Sequence, residues 1–217
     1  MNIRQLIIKK DLQGIKNELV NNPALANEGI VYDDTPNCSK AHPLHRICDG
    51  VFAGILTDDE AFAIAQLFLD HGAHVNGNEL VVKHDTPLIA AASLNADKVA
   101  MLYIDNGAII DHPGCHGGTA LHWAAWCGRD ALVKRLIAAG APINQLCIDF
   151  KSTPLFWTIH GLKSSDNNNV TNYTECARLL LAAGADKTIP NAEGSTVFDL
   201  LNEKDSELKS ILNNESI

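Results

Sequence analysis

Gly118-Thr119-Ala120-Leu121-His122-Trp123-Ala124-Ala125-Trp126-Cys127-Gly128 is the stretch whose reading decides the fold. A Thr followed by a small residue, Leu, His and paired Ala reads as a helix start, because the Thr hydroxyl accepts from the free backbone N–H groups of a first turn. The same start recurs with substitutions at Ala41-His42-Pro43-Leu44-His45, Asp85-Thr86-Pro87-Leu88-Ile89-Ala90-Ala91-Ala92, Ser152-Thr153-Pro154-Leu155-Phe156-Trp157 and Ser195-Thr196-Val197-Phe198-Asp199-Leu200-Leu201. Where Pro takes the first helical position, its missing N–H costs nothing and its φ is already helical. A second signal closes each unit: Gly72-Ala73, Gly107-Ala108, Gly140-Ala141 and Gly184-Ala185 each end an apolar helical run. A repeated start with a repeated end defines a two-helix unit used several times.

On these residues the chain resembles the ankyrin-repeat family, whose unit is about 33 residues of hairpin, helix and helix. The resemblance implies an all-α solenoid of about six helix-turn-helix repeats with β-hairpin-like loops and capping end repeats. The whole of 1–217 then forms a single domain. It divides into an N-cap repeat at 2–27, a repeat with an insertion at 40–76, regular repeats at 85–111 and 118–144, a second repeat with an insertion at 152–187, and a C-cap repeat at 195–213.

In the N-cap repeat, Ile3, Leu6 and Ile7 fit one helix face, Asp11 is a cap, and Ile15, Leu19 and Val20 form a second stripe that Asn22-Pro23 ends. Residues 28–41 read as a polar loop. From the Pro position to the closing Gly, the two regular repeats count 20 residues, whereas those opening at Pro43 and Pro154 count 29 and 30. The first insertion, near Val51-Phe52-Ala53-Gly54-Ile55-Leu56-Thr57, is apolar. Folding back onto the body is favoured over a contact surface, since large exposed apolar patches are uncommon on monomers. The second, Ser164-Ser165-Asp166-Asn167-Asn168-Asn169, is expected to be a mobile polar loop. From Thr196 to Asn213 the pattern predicts a last helix pair with Leu200, Leu201, Leu208, Ile211 and Leu212 inward.

In the family a His after Leu hydrogen-bonds across neighbouring hairpins, so His45 and His122 are read as structural. The family also places Gly three residues before the Pro position, where the backbone turns left-handed; Gly117 and Gly194 match, whereas Lys40, His84 and Lys151 do not. Those three hairpins are expected to be reshaped or mildly strained. The third hairpin is also long, which predicts a displaced tip near Val81, Lys83 and His84.

With 17 basic against 26 acidic residues and a net charge of −9, the chain lacks the clustered cations of a nucleic-acid face. Its six cysteines show no framework spacing and read as reduced thiols. The N-terminus lacks the apolar core of a signal peptide, and no run is long enough to span a membrane. A soluble, cytoplasmic monomer is the expectation.

The resemblance places binding on the concave face, formed by hairpin tips and the exposed side of each first helix. Three residues beyond the Pro position lie Arg46, Ala90, Trp123 and Trp157; six beyond lie Asp49, Ser93, Trp126 and His160. All three tryptophans fall in this set, and Trp is a common anchor at protein interfaces. The expected partner-binding set is therefore Trp126, Trp123, Trp157 and His160, with Arg46, Asp49 and Ser93, flanked by the hairpin residues Cys115, His116, Asp149 and Phe150. For Trp123 and Trp157 the alternative is packing between adjacent repeats.

Two other chemistries weigh less. His45 with Cys48, and His112 with Cys115 and His116, have close spacing, but a structural zinc site needs four ligands in two paired sets, so no metal or cofactor is expected. A Cys–His enzyme would need a converging base and orienting group. The resemblance also implies asparagine hydroxylation at Asn76 and Asn144, which follow Gly-Ala pairs. The expectation is a non-catalytic protein–protein interaction scaffold with a protein partner. The insertions also look like ankyrin proteins of intracellular bacteria, so the alternative is a bacterial effector, secreted into a host cell and acting on a host protein.

Overall fold

The computed structural model describes residues 1–33, 35, 37–164 and 170–213. Within them the chain is mostly helical and gathers into two compact units, residues 1–81 with 85–109 and residues 82–84 with 110–217. The Asn-rich run 165–169 lies outside the described residues.

The first unit opens with α1 (Ile3–Ile8) and α2 (Leu12–Asn21). Asp11 caps α2 by accepting from the Gly14 N–H at 2.9 Å. Leu6, Ile7, Ile15 and Leu19 are buried, but Val20 is 61% exposed, so the stripe of α2 is narrower than its sequence suggests. The 28–41 segment is more than a loop: Ile30–Val31 (β1) pairs antiparallel with Lys40–Ala41 (β2), Ile30 opposite Ala41. Then follow α3 (Pro43–Phe52), α4 (Asp58–Asp70), α5 (Pro87–Ser93) and α6 (Asp97–Asp105).

Each first helix starts as its cap dictates. His42 stands in for Thr by accepting from the Leu44 N–H through Nδ1 at 3.3 Å, while Thr86 accepts from Ile89. The apolar insertion folds back only in part. Leu56 is buried over Gly50, where a Cβ would lie 2.9 Å from Leu56 Cδ1, but Phe52 and Ile55 stay exposed. A Thr57–Glu60 capping box starts α4. Between the helix pairs the buried Tyr103 donates its hydroxyl to the Leu44 carbonyl at 2.8 Å.

The second unit comprises α7 (Ala120–Trp126), α8 (Asp130–Ala138), α9 (Pro154–Ser164), α10 (Val170–Ala182), a single 3-10 turn at Val197–Leu200 and α11 (Ser206–Asn213). The last expected helix pair is therefore one turn and one helix, with Leu208, Ile211 and Leu212 buried but Leu200 and Leu201 only half-buried. His122 joins two hairpins. Its Nδ1 accepts from the Thr119 N–H at 3.1 Å and lies 2.9 Å from Thr119 Oγ1, and its Nε2 reaches the Ser152 carbonyl at 3.2 Å. These partners select the neutral tautomer with the proton on Nε2. His45 is its counterpart in the first unit, half-buried, 3.9 Å from Asp49 and hydrogen-bonded to the backbone of Asp85 just before the next helix start.

The hairpins solve the missing glycines in different ways. Lys151 adopts a left-handed φ of 52°, as Gly117 and Gly194 do at 71° and 82°. In the third hairpin the turn moves one residue earlier, to Lys83 with φ 68°, and the Lys83 N–H bonds the Pro113 carbonyl at 2.9 Å. Lys40 escapes the strained region by joining β2. The second halves of the repeats are tied by asparagines. Asn27 donates to the Gly72 carbonyl and accepts from His74 N–H, Asn76 accepts from Ile109 N–H, and Asn144 donates to Gly184 and accepts from Asp186. Hydroxylation at Asn76 or Asn144 would therefore fall on the Cβ of a side chain whose carboxamide is already engaged by the next turn.

Burial pushes the His122 pKa from 6.5 down to about 4. Its folded value lies below its unfolded one, so the stability it contributes is complete above pH 6.5 and is lost as pH falls toward 4, by roughly 3 kcal/mol. Urea unfolding of His122→Gln should show a less stable protein at neutral pH whose loss of stability between these limits is smaller than wild type. A second test uses Gly161 of α9, where a Cβ would sit 2.3 Å from the Trp126 carbonyl oxygen. Gly161→Ala should lower stability by about 1–3 kcal/mol in the same assay, although Ala is the better helix former.

Candidate protein-binding cleft

Trp123 and Trp126 lie three residues apart on α7, on one face of the helix. Trp157 and His160 hold the equivalent positions on α9, so packing the two helices brings all four rings together. The approach is close because Gly161 leaves room for the Trp126 carbonyl and Gly128 for the Tyr173 ring, whose hydroxyl donates to that carbonyl at 3.0 Å.

Trp157 is 6% exposed and forms the floor. Trp123 and Trp126 meet it edge to face, at centroid distances of 5.1 and 5.8 Å and interplanar angles of 84° and 72°. His160 stands against Trp126 at 5.2 Å. Behind the floor, His122 meets the Trp157 ring at 5.2 Å and 74°. Such tilted contacts suit aromatic quadrupoles and hold the rings in fixed orientations. Trp157 thus supports the other rings from below while still lining the cleft. The cleft has a volume of about 520 Å³.

Hairpin tips complete the walls. His116 lies 5.2 Å from Phe150 and 6.5 Å from Trp123, ring to ring, and both His116 and Phe150 are exposed. Asp149 sits beside them, 2.5 Å from Lys83 Nζ and 3.2 Å from His116 Nδ1; the Lys83 ammonium, then His116, hold its carboxyl below the usual range. From the last hairpin, the Ala192 N–H bonds the Phe150 carbonyl at 2.8 Å and brings Glu193 to the same cleft. Buried Phe156 also lines it. Sequence reasoning missed Glu193 and Phe156. A signal for Glu193 existed: His116, Phe150 and Glu193 each stand four residues before the Pro position of their repeat.

Arg46, Asp49 and Ser93 do not join this cleft and belong to the first unit. Arg46 is consumed internally: its guanidinium bonds the Ile30 and Ser39 carbonyls, pairs with Asp49 at 2.5 Å and lies over Tyr32. Ser93 donates to the Ala90 carbonyl of its own helix. Position in a repeat does not say whether a polar group is already partnered.

Burial pushes the Cys48 and Cys176 thiols far up, away from nucleophilic thiolate character. His112 bonds the His84 carbonyl at 3.0 Å. Among the described residues no group of three or more His, Cys, Asp or Glu converges on a metal position, and no helix is long and apolar enough to cross a membrane.

Comparison with known proteins agrees with the repeated helix pairs. Residues 55–149 match a family model described as ankyrin repeats in three copies. Palmitoyltransferase ZDHHC13 of Mus musculus is 34% identical over 152 residues, covering 60% of this chain and 23% of that protein. Palmitoyltransferase Hip14 of Drosophila melanogaster is 29% identical over 97 residues, 45% of this chain and 14% of that protein. Ankyrin repeat and SOCS box protein 6 of Homo sapiens is 31% identical over 135 residues, 62% of this chain and 31% of that protein. The chain spans less than a third of each of these relatives, and the palmitoyl transfer in two of the names is said of those proteins. Residues 55–149 of the chain therefore carry ankyrin repeats, with capped helix pairs built to the same plan on either side.

Proposed function

We propose that this chain is a non-catalytic scaffold that holds a partner protein in the tryptophan cleft of its second unit. The observation that carries the reading is the cleft itself: three tryptophans and two exposed histidines in fixed contact around an open space of about 520 Å³. Rigid aromatic side chains supply large contact area and have little conformational freedom left to lose on binding, which is why they dominate interface energies.

Trp126 is the anchor to test, since it is half-buried, faces Trp157 and His160, and lies at the end of α7. Immobilised wild-type chain, Trp126→Ala and Phe52→Ala should be compared for proteins captured from cell lysate. Partners held by wild type and by Phe52→Ala should be depleted with Trp126→Ala. A hot-spot loss of at least 2 kcal/mol corresponds to roughly thirty-fold weaker binding. Equal recovery by all three forms would exclude the cleft as the binding surface.

A further inference from the structure

We propose that the cleft is a receptor for one arginine side chain, presented by an extended segment of the partner protein. This rests on the reading that the cleft binds protein, and adds the chemistry it selects.

Two features of the cleft, of different kinds, converge on a guanidinium. The first is the rings. Trp123 and Trp126, each half-buried, flank the Trp157 floor, and indole faces attract a cation more strongly than other aromatic faces do. The second is Glu193. Glu193 lines the same cleft, and among the described residues its carboxylate forms no ion pair and no side-chain hydrogen bond. The neighbouring acid Asp149 is already matched by Lys83 and His116. The backbone that carries Glu193 is held in place: Asn191 Oδ1 accepts from the Glu193 and Ser195 N–H groups at 3.0 and 2.9 Å, and the Ala192 N–H fixes the tip to Phe150. An unmatched carboxylate on a fixed hairpin tip, in a cleft that half-buried indoles also line, leaves one half of an ion pair unfilled.

The other occupants fit less well. A phosphorylated or acidic segment would bring like charge against Glu193. An apolar side chain would strip water from that carboxylate and return nothing to it. A lysine ammonium is strongly hydrated and loses that hydration among the rings, while a quaternary ammonium has no N–H to give the carboxylate. Arginine is weakly hydrated, stacks flat on an aromatic face and offers paired N–H donors to a carboxylate.

Four capped, otherwise neutral hexapeptides that differ only at one central residue, arginine, lysine, trimethyl-lysine or norleucine, separate these cases by titration of tryptophan fluorescence. The arginine peptide should bind at least about ten-fold more tightly than each of the other three. Glu193→Gln should remove most of that advantage and leave the norleucine peptide within about two-fold, while Glu203→Gln, on an exposed residue of the last repeat, should change neither. Glu193 is exposed, so the substitution does not endanger the fold. Norleucine binding as well as arginine, trimethyl-lysine binding better than arginine, or no response up to about 10 mM peptide would each overturn the arginine assignment. Loss of captured partners by Trp126→Ala would survive any of those results. Conversely, an arginine-selective response with undiminished capture by Trp126→Ala would uphold the arginine site and remove the proposed docking role.

Discussion

An uncharged imidazole shared between two hairpins is the constraint on which the second unit depends. His122 accepts from Thr119 at the start of its own helix and donates to the Ser152 carbonyl just before the start of the next. One side chain thereby closes a helix cap and fixes the spacing between repeats. Because the ring is buried and touches Trp157, the same contact sets the depth of the cleft floor. A proton on His122 would turn Nδ1 from acceptor to donor, set it against the Thr119 N–H and leave a charge in an apolar interior. The energetic demand for neutrality and the shape of the cleft are one requirement.

From that fixed point the cleft follows by packing. The bare helix surface at Gly161 and the left-handed turn at Gly128 let α9 and α10 close onto the end of α7. Trp126 is held by its backbone carbonyl, which accepts from Tyr173, and by its ring, which meets Trp157 and His160. The indole N–H of Trp123 is buried without a hydrogen-bond partner among the described residues, and ring contacts orient that side chain. Walls of this kind are in place before a ligand arrives, and a preformed site spends less of its binding energy on ordering itself.

Most of the fold was legible because capping chemistry is local. Thr86 and Thr153 cap the helices that follow them through bonds spanning three residues, and Asp11 does the same for α2. What escaped depended on partners distant in sequence. Val20 looks like stripe and Arg46 looks like surface until the neighbouring elements are in place, and the β1–β2 pair forms from two-residue segments too short to signal a strand. Leu56 and Ile55 are adjacent and equally apolar, yet only Leu56 finds a glycine to cover. In the cleft the tryptophans were visible from repeat position. Glu193 was visible only through the register it shares with His116 and Phe150, in a repeat whose first helix has shrunk to a single turn.

The central claim, that a neutral His122 fixed between Thr119 and Ser152 sets the cleft, is tested most directly by side-chain nitrogen NMR of that imidazole during an acid titration. The account predicts the tautomer protonated on Nε2, unchanged from about pH 8 to about pH 5, with a slowly exchanging proton and a midpoint near 4. A midpoint near 6.5, or a mixture of tautomers in fast exchange at neutral pH, would contradict it.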